Sequence, residues 1–410
     1  MEATREQTSG VTPRGSVDQL MAAAVLALVG FGVVMIYSSS AVYAQRSLED
    51  SQYFLDKQVM WVGVGLLVML LASRIGYRLA ARLAVPLLML TVLLLVLVLT
   101  PVGSSINGAQ RWLRVLGFSF QPGELAKVTL VIWLSFSLTR KALKIKTFSI
   151  GFLPHVLVAG LVTGLVFLEP DLGTAALLLA TTFLMLFVAG GKVLYLLGAI
   201  AGAVPVLYFF ISSSPYRMAR MRAFFDPFAH RFGDGYQITE SILGFGAGGV
   251  WGLGLGDGRQ KLFFLPEAHN DFIASQIGEE LGFVGLCVMI LVYGIIVWRG
   301  LRVSMRAPGT FGSFLSFGLT FLIGLQALLN LAVALGVVPT KGLNLPFVSY
   351  GGSSLLFNMI AVGVLLDVSR GGPCPLAARV EAEAEAQEER ESRSMGGNRV
   401  IKRRATAEAG

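Results

Sequence analysis

The run LAVPLLMLTVLLLVLVLT, residues 83–100, carries no charged side chain over its whole length. At about 1.5 Å rise per residue a helix of this length nearly crosses the roughly 30 Å of hydrocarbon in a bilayer. Its apolar residues are continuous rather than alternating, so it does not read as a barrel strand. Lipid offers the backbone no hydrogen-bond partners, which leaves the helix as the structure that satisfies every amide within the segment. Comparable runs recur from Met21 to Leu366. The expected fold is therefore an all-α polytopic membrane protein. Composition agrees: the 410 residues are 54% hydrophobic and only 14% charged, against about 25% charged in soluble domains.

Outward from that run, helices are expected at 20–40, 56–74, 80–100, 123–139, 150–169, 172–190, 192–212, 271–298, 312–338 and 353–369. About ten spans leave both termini on one side. Arg74, Arg78 and Arg82, then Arg140, Lys141, Lys144 and Lys146, then Lys192, then Arg299, Arg302 and Arg306 fall in the loops of that side, which the positive-inside rule makes cytoplasmic. Residues 1–16 then form a cytoplasmic tail and 17–370 the membrane domain. Residues 371–410, with EAEAEAQEERESR and NRVIKRR, form a charged cytoplasmic tail, read as disordered or as a docking segment. The first run is too long a core, without a small-residue cleavage site, for a signal peptide. Two cysteines, Cys287 in an expected helix and Cys374 beyond the last, make no disulfide framework. The net charge of +8 falls mainly where topology wants it, so nucleic acid is not implied.

The opposite side receives 41–55, 101–122, 170–171, 213–270 and 339–352. The longest, between the seventh and eighth expected helices, shows no obvious regular structure, and a loop of that size is usually functional or disordered. Its aromatic and apolar content speaks against disorder. The glycine-rich LGFGAGGVWGLGLG (243–256) is expected to dip back to the bilayer surface. Its GxGxxG echo has no preceding strand and carries no nucleotide-binding meaning.

Asp271, within PEAHNDFIASQIGEELG (266–282), is expected to open the eighth helix. It can be read as an N-cap or as a functional carboxylate, given Glu267 and His269 before it and Glu279 and Glu280 deeper in the membrane. Glu280 reads rather as a polar contact between helices. The same face gathers Arg111 and Arg114, then Arg217, Arg220 and Arg222, then Arg259, Lys261 and Lys341. Guanidinium groups pair bidentately with phosphate, so both a pyrophosphate-bearing lipid and ordinary phospholipid headgroups fit. Glu124 and Lys127 suit an i, i+3 ion pair. Gln326 and Asn330 suit helix–helix contacts, and His155 a packing role. No cluster has zinc-ligand spacing.

NGAQRW (107–112), QPGELAK (121–127), EPDLGTA (169–175), PYRMARMRAFFDP (215–227), GYQITESILGFGAGGVWGLGLG (235–256), KLFFLPEAHNDF (261–272) and PTKGLNLPFVSYGGSS (339–354) together resemble the SEDS family (shape, elongation, division and sporulation), over residues 17–370. PTKGLNLPF and PYRMARMRAF resemble FtsW, the division member, more than RodA, the elongation member. Gly123 stands where the family usually has Ser, Glu169 where Gln is common, and Ala274-Ser275-Gln276 where the stretch is more apolar. The resemblance implies an inner-membrane peptidoglycan glycosyltransferase that polymerises lipid II at the septum with a class B penicillin-binding transpeptidase and other divisome proteins. It implies Asp271 as the acidic residue of the HxDF motif and Trp112 as the RW tryptophan. Arg111, Arg217, Arg220, Glu267, His269, Lys341 and Ser349 are the further expected substrate contacts, with a divalent cation as an optional aid to the departing pyrophosphate. A lipid II flippase, a scaffold and the elongation polymerase are the alternatives.

Overall fold

The computed structural model describes residues 15–106, 109–115, 118–262, 264–265, 269–340, 342–371 and 386. Glu267, Lys341 and, apart from Gly371 and Ala386, the expected 371–410 tail lie outside the described residues. The helices are α1 (Gln19–Leu48), α2 (Tyr53–Ile75), α3 (Tyr77–Val98), α4 (Pro122–Arg140), α5 (Leu153–Leu168), α6 (Leu172–Val188), α7 (Val193–Ser212), α8 (Pro215–Phe225), α9 (Tyr236–Gly248), α10 (Ile273–Arg306), α11 (Thr310–Ala334) and α12 (Gly352–Ser369). A π-helical turn, Phe148–Phe152, leads into α5. Seven stretches are long and apolar enough to cross a membrane: α1, α2, α3, α5 with its π turn, α10, α11 and α12. The other three expected spans correspond to α4, which carries Glu124, Lys127 and Arg140, to the shorter α6, and to α7, whose apolar part is Val193–Pro205.

Burial separates an inner from an outer layer. In α12, 78% of the most apolar window is buried, and in α11 61%, against 22% in α2. α12 lies along α2, while α11 packs between α10 and α4, and α3 covers α4. Gly15 N–H donates to Arg370 O (2.9 Å), which sets the first and last described backbone segments side by side.

Four features depart from the sequence expectation. First, α1 runs two turns past residue 40: Ser39 and Ser40, where hydropathy falls, return their hydroxyls to Ile36 O (3.2 and 2.7 Å), and the helix continues. Second, the all-α reading misses a small antiparallel meander of β1 (Gly103–Ile106), β2 (Ala109–Val115) and β3 (Phe118–Phe120) in the 101–122 segment. Third, the 213–270 segment, expected without regular structure, holds α8 and α9. Fourth, α10 starts at Ile273 with Phe272 at the cap position and no side-chain cap, so Asp271 lies just ahead of the helix rather than capping it.

The glycine-rich run does fold back, but onto protein. α10 is interrupted at Gly282 (φ 66°, ψ −166°), and residues 249–254 enter the gap. Leu253 N–H donates to Glu279 O and Gly254 N–H to Glu280 O (both 3.0 Å), while Phe283 N–H donates to Gly249 O (2.9 Å) and Val284 N–H to Val250 O (3.1 Å). Each of these groups would cost several kcal/mol if left unpaired in hydrocarbon. The exchange is possible only with glycine at the crossing: a Cβ on Gly252 would sit 2.2 Å from Glu280 O, and one on Gly282 2.3 Å from Gly252 N.

Candidate active site

Residues 269–271 form a turn, held as a strap over the end of α11 and against the 343–350 loop. Ser349 Oγ donates to Asn270 O (2.7 Å) and accepts from Leu345 N–H (2.8 Å). Tyr350 N–H donates to His269 O (3.0 Å). From below, Asn330 Nδ2 donates to Asp271 O (2.9 Å) and Leu343 O (2.6 Å), and Gln326 Nε2 to Asn344 O (2.8 Å). Gln326 Oε1 in turn accepts from Lys127 Nζ (2.8 Å), which pairs with Glu124 (2.6 Å). A polar column from α4 through α11 therefore fixes the backbone at Asp271. Of the amides of α11, read from sequence as helix contacts, Gln326 makes that contact through Lys127 of α4, and both also donate to loop backbone. The available signal was their i, i+4 spacing at the helix end that meets the 339–352 motif.

The His269 ring is buried among Phe54 (centroids 4.7 Å apart), Tyr350 (5.9 Å) and Tyr43 (6.0 Å). This aromatic cage ties α1 and α2 to the strap. Ser349 is also buried, with its hydroxyl spent on backbone. Both residues hold the segment that carries Asp271, whose own side chain is half-buried.

Arg111 approaches from the small sheet. Alternation along β2 puts Arg111 on the same face as the buried Leu113, and Trp112 and Arg114 on the other. Arg111 Nε donates to Glu169 O (3.0 Å) and Nη2 to Pro170 O. A Cβ built on Gly342 would lie 3.4 Å from Asp271 Oδ2 and 3.5 Å from Arg111 Nη1. The carboxylate and the guanidinium thus border one small space above Gly342, just large enough for a methyl group at van der Waals contact with both. Trp112, half-buried, pairs with Ser104 across the sheet.

Behind Arg111 lies a group that the sequence marked only as a departure. Glu169, at the turn between α5 and α6, is 1% exposed, and neither carboxylate oxygen has a hydrogen-bond partner among the described residues. Burial pushes its carboxyl up to about 8; Asp171 pushes the same way and Arg111 opposes. Asp171 is occupied differently: it caps α6 through Thr174 N–H (3.0 Å) and accepts from Gln121 Nε2 (3.2 Å).

Glu280 is sealed away. It accepts from Ser38 Oγ (2.6 Å), Lys261 Nζ (2.9 Å), Gln276 Nε2 (2.6 Å) and Gly256 N–H (3.1 Å), as the helix-contact reading expects. Glu279 binds the same returning loop through Arg259 N–H (2.8 Å) and Gln260 N–H (3.1 Å). Arg217 and Arg220 stand apart on α8, which packs against α7. Among the described residues no three His, Cys, Asp or Glu side chains gather as a metal site.

Residues 18–372 match the cell cycle protein family that comprises FtsW, RodA and SpoVE. The chain is 46% identical over 355 residues to the probable peptidoglycan glycosyltransferase FtsW of Trichlorobacter lovleyi, covering 86% of this chain and 93% of that one. It is 37% identical over 364 residues to stage V sporulation protein E of Bacillus subtilis, covering 88% and 98%. Among solved structures it is similar to a chain described under "structural coordination of polymerization and crosslinking by a peptidoglycan synthase complex", with a TM-score of 0.72, 31% identity and 86% and 98% coverage. It is also similar to the rod shape determining protein RodA of Thermus thermophilus, with a TM-score of 0.64, 29% identity and 86% and 97% coverage.

Proposed function

The chain belongs to the FtsW/RodA/SpoVE family of cell cycle proteins, and we propose that its outer face polymerises lipid II into glycan strands with Asp271 as general base. It is a multi-pass membrane peptidoglycan glycosyltransferase of the FtsW kind. The observation that carries the assignment to Asp271 is the space above Gly342, bordered by a half-buried carboxylate and by Arg111. In the transfer, Asp271 takes the proton of the acceptor sugar hydroxyl as its oxygen bonds to the donor's anomeric carbon. The bond from that carbon to the undecaprenyl pyrophosphate breaks on the opposite face, and the leaving group takes up the electron pair. Its charge falls to fixed cations, for which Arg111, Lys341, Arg217 and Arg220 are the candidates, with Trp112 and Glu267 as further contacts. His269 and Ser349 position the strap.

Seven apolar helices together with α4, α6 and α7 support ten spans, and the adjacency of Gly15 and Arg370 supports termini on one side, the cytoplasmic one by charge. The similarity to a chain from a peptidoglycan synthase complex supports a class B penicillin-binding transpeptidase as partner, and the similarity to FtsW supports action at the septum. The test is glycan formation from lipid II by the purified protein with that transpeptidase. Wild type is expected to give polymer and Asp271→Asn almost none; polymer from the variant within a few-fold of wild type would remove Asp271 from the chemistry.

A further inference from the structure

At the end of α10 remote from Asp271 lies a cavity of about 360 Å³, enclosed by the start of α1, the last turns of α10 and the end of α12. It falls in the size range of small-ligand sites. Arg299, Arg302 and Arg306 line it. At 100° per residue, Arg299 and Arg306 lie almost in register along α10 and Arg302 about 60° away, so all three share one stripe. The one carboxylate in the lining is Asp18. It is saturated: it caps α1 through Met21 N–H (3.0 Å) and receives Arg299 Nε (2.8 Å) and Nη2 (2.7 Å). Arg302 lies over the Trp298 ring at 4.2 Å, a cation–π contact that restrains its guanidinium. Among the described residues neither Arg302 nor Arg306 has an acidic partner. Among the described residues, the cavity therefore holds two guanidinium charges with no carboxylate paired to them.

Its level is set by α10 itself. Past its break at Gly282, α10 rises roughly 28 Å from Phe283 to Arg302, close to the thickness of the hydrocarbon, which carries the cavity to the headgroup region opposite Asp271. Its flank is apolar and open to the bilayer: Leu20 is 45%, Trp298 49% and Met305 79% exposed. Arginines that served topology alone would need neither a concave site nor an oriented fork.

We propose that this cavity binds the phosphodiester headgroup of an anionic phospholipid, with Arg302 and Arg306 on the phosphate and the acyl chains along Leu20 and Met305. Guanidinium forks match phosphate oxygens, and basic pockets between membrane helices at this level suit anionic headgroups. Occupancy would clamp the ends of α1, α10 and α12 together.

The test uses the full-length protein in neutral detergent, titrated separately with phosphatidylglycerol, phosphatidylcholine and inorganic phosphate. Bound lipid is read by native mass spectrometry and stability by the thermal midpoint. Phosphatidylglycerol is expected to remain bound and raise the midpoint, as a ligand of the native state must, while phosphatidylcholine does neither. Arg302→Gln with Arg306→Gln should weaken phosphatidylglycerol binding at least about tenfold and leave the lipid-free midpoint near wild type. Arg78→Gln with Arg82→Gln, in the basic first turns of α3, should bind as wild type does. If the double variant fails to fold, Arg302→Lys, which keeps the charge but loses the fork, should show the same weakening. Undiminished binding by either cavity variant, or equal loss in the Arg78/Arg82 control, overturns the site. Protection by inorganic phosphate equal to that by phosphatidylglycerol overturns its assignment to lipid.

Discussion

Asp271 and Glu280 lie nine residues apart at the start of α10, and the fold treats them in opposite ways. Glu280 is fully buried and accepts from a serine, a lysine, an amide and a backbone N–H. Its charge is used up in holding the returning loop 249–261 to α1 and α10. Asp271 has its backbone fixed by Asn330 while its half-buried carboxylate and the Arg111 guanidinium both face Gly342. A carboxylate with every lone pair satisfied by protein cannot take a substrate proton without breaking its own structure. One whose main chain is anchored independently can change its side chain's contacts without losing its place. The difference separates structure from chemistry more sharply than the shared residue class does.

Amide replacement should split the pair. Asp271→Asn is expected to lower polymerisation on the order of 10²–10⁴-fold with the thermal midpoint unchanged, because no helix cap is lost. Glu280→Gln keeps the shape but leaves the Lys261 ammonium buried without its counter-charge, which typically costs about 3–5 kcal/mol. Activity per folded molecule should survive better than the fold does. Replacing both Glu280 and Lys261 by Met should recover much of that stability, since a buried pair exchanged for apolar groups is often neutral. If Glu280→Gln left stability intact and abolished turnover, the two roles would be reversed.

Arg111 sharpens the same contrast from the other side of the space above Gly342. Its Nε and Nη2 are committed to carbonyls of the 169–170 turn, leaving Nη1 toward Asp271. A lysine would keep the charge but cannot hold the turn and face the site at once. Arg111→Lys is therefore expected to lower kcat/KM about 10- to 100-fold, near the value of one or two charged hydrogen bonds, with a smaller loss of stability. Equal activity would mean that charge alone is needed there.

How much of this could be read from the chain alone follows from range. The spans were legible because hydrocarbon imposes one demand on every residue of a segment, and seven of the expected stretches return as long apolar helices. The break at Gly282 was not legible. A glycine in a membrane helix is ordinary, and only the crossing of residues 249–254, brought together by the fold, turns it into a gap. The meander at 103–120 was missed because a short alternating run, AQRWLRV, carries little signal between hydrophobic helices. In the site, Asp271, Arg111 and His269 were identifiable by residue type and motif. Of the supporting amides, Gln326 does reach a neighbouring helix through Lys127, but the backbone carbonyls that Gln326 and Asn330 also hold leave no trace in side-chain chemistry. Glu169 appeared only as an unusual residue before Pro170; its burial behind Arg111 required the turn between α5 and α6.

Glu169 is the third carboxylate of the comparison, and the smallest effect is expected there. Unlike Glu280 it has no hydrogen-bond partner among the described residues, unlike Asp271 it is fully buried, and burial pushes its carboxyl up to about 8. In the unfolded chain this group ionises near its ordinary value of about 4.5. Between that pH and about 8 the folded protein binds a proton that the unfolded chain has released. Stability must then fall as pH rises through this window and level off above it. Glutamine has the same shape and no proton to lose. Glu169→Gln should match wild type near pH 4.5 and become progressively more stable than wild type toward pH 8.5, by about 1–3 kcal/mol once the full shift is discounted for relaxation around the ionised group. Above pH 8 wild-type activity should also decline more steeply than that of the variant, because an ionised Glu169 draws the Arg111 guanidinium back from the space above Gly342. The measurement is a pair of thermal midpoints and a pair of pH–rate profiles on purified protein. A stability gap that is flat from pH 5 to pH 8.5 would mean that Glu169 is already ionised in the fold and has found a partner. A gap that grows with pH would place a neutral carboxylic acid directly behind the proposed active-site arginine.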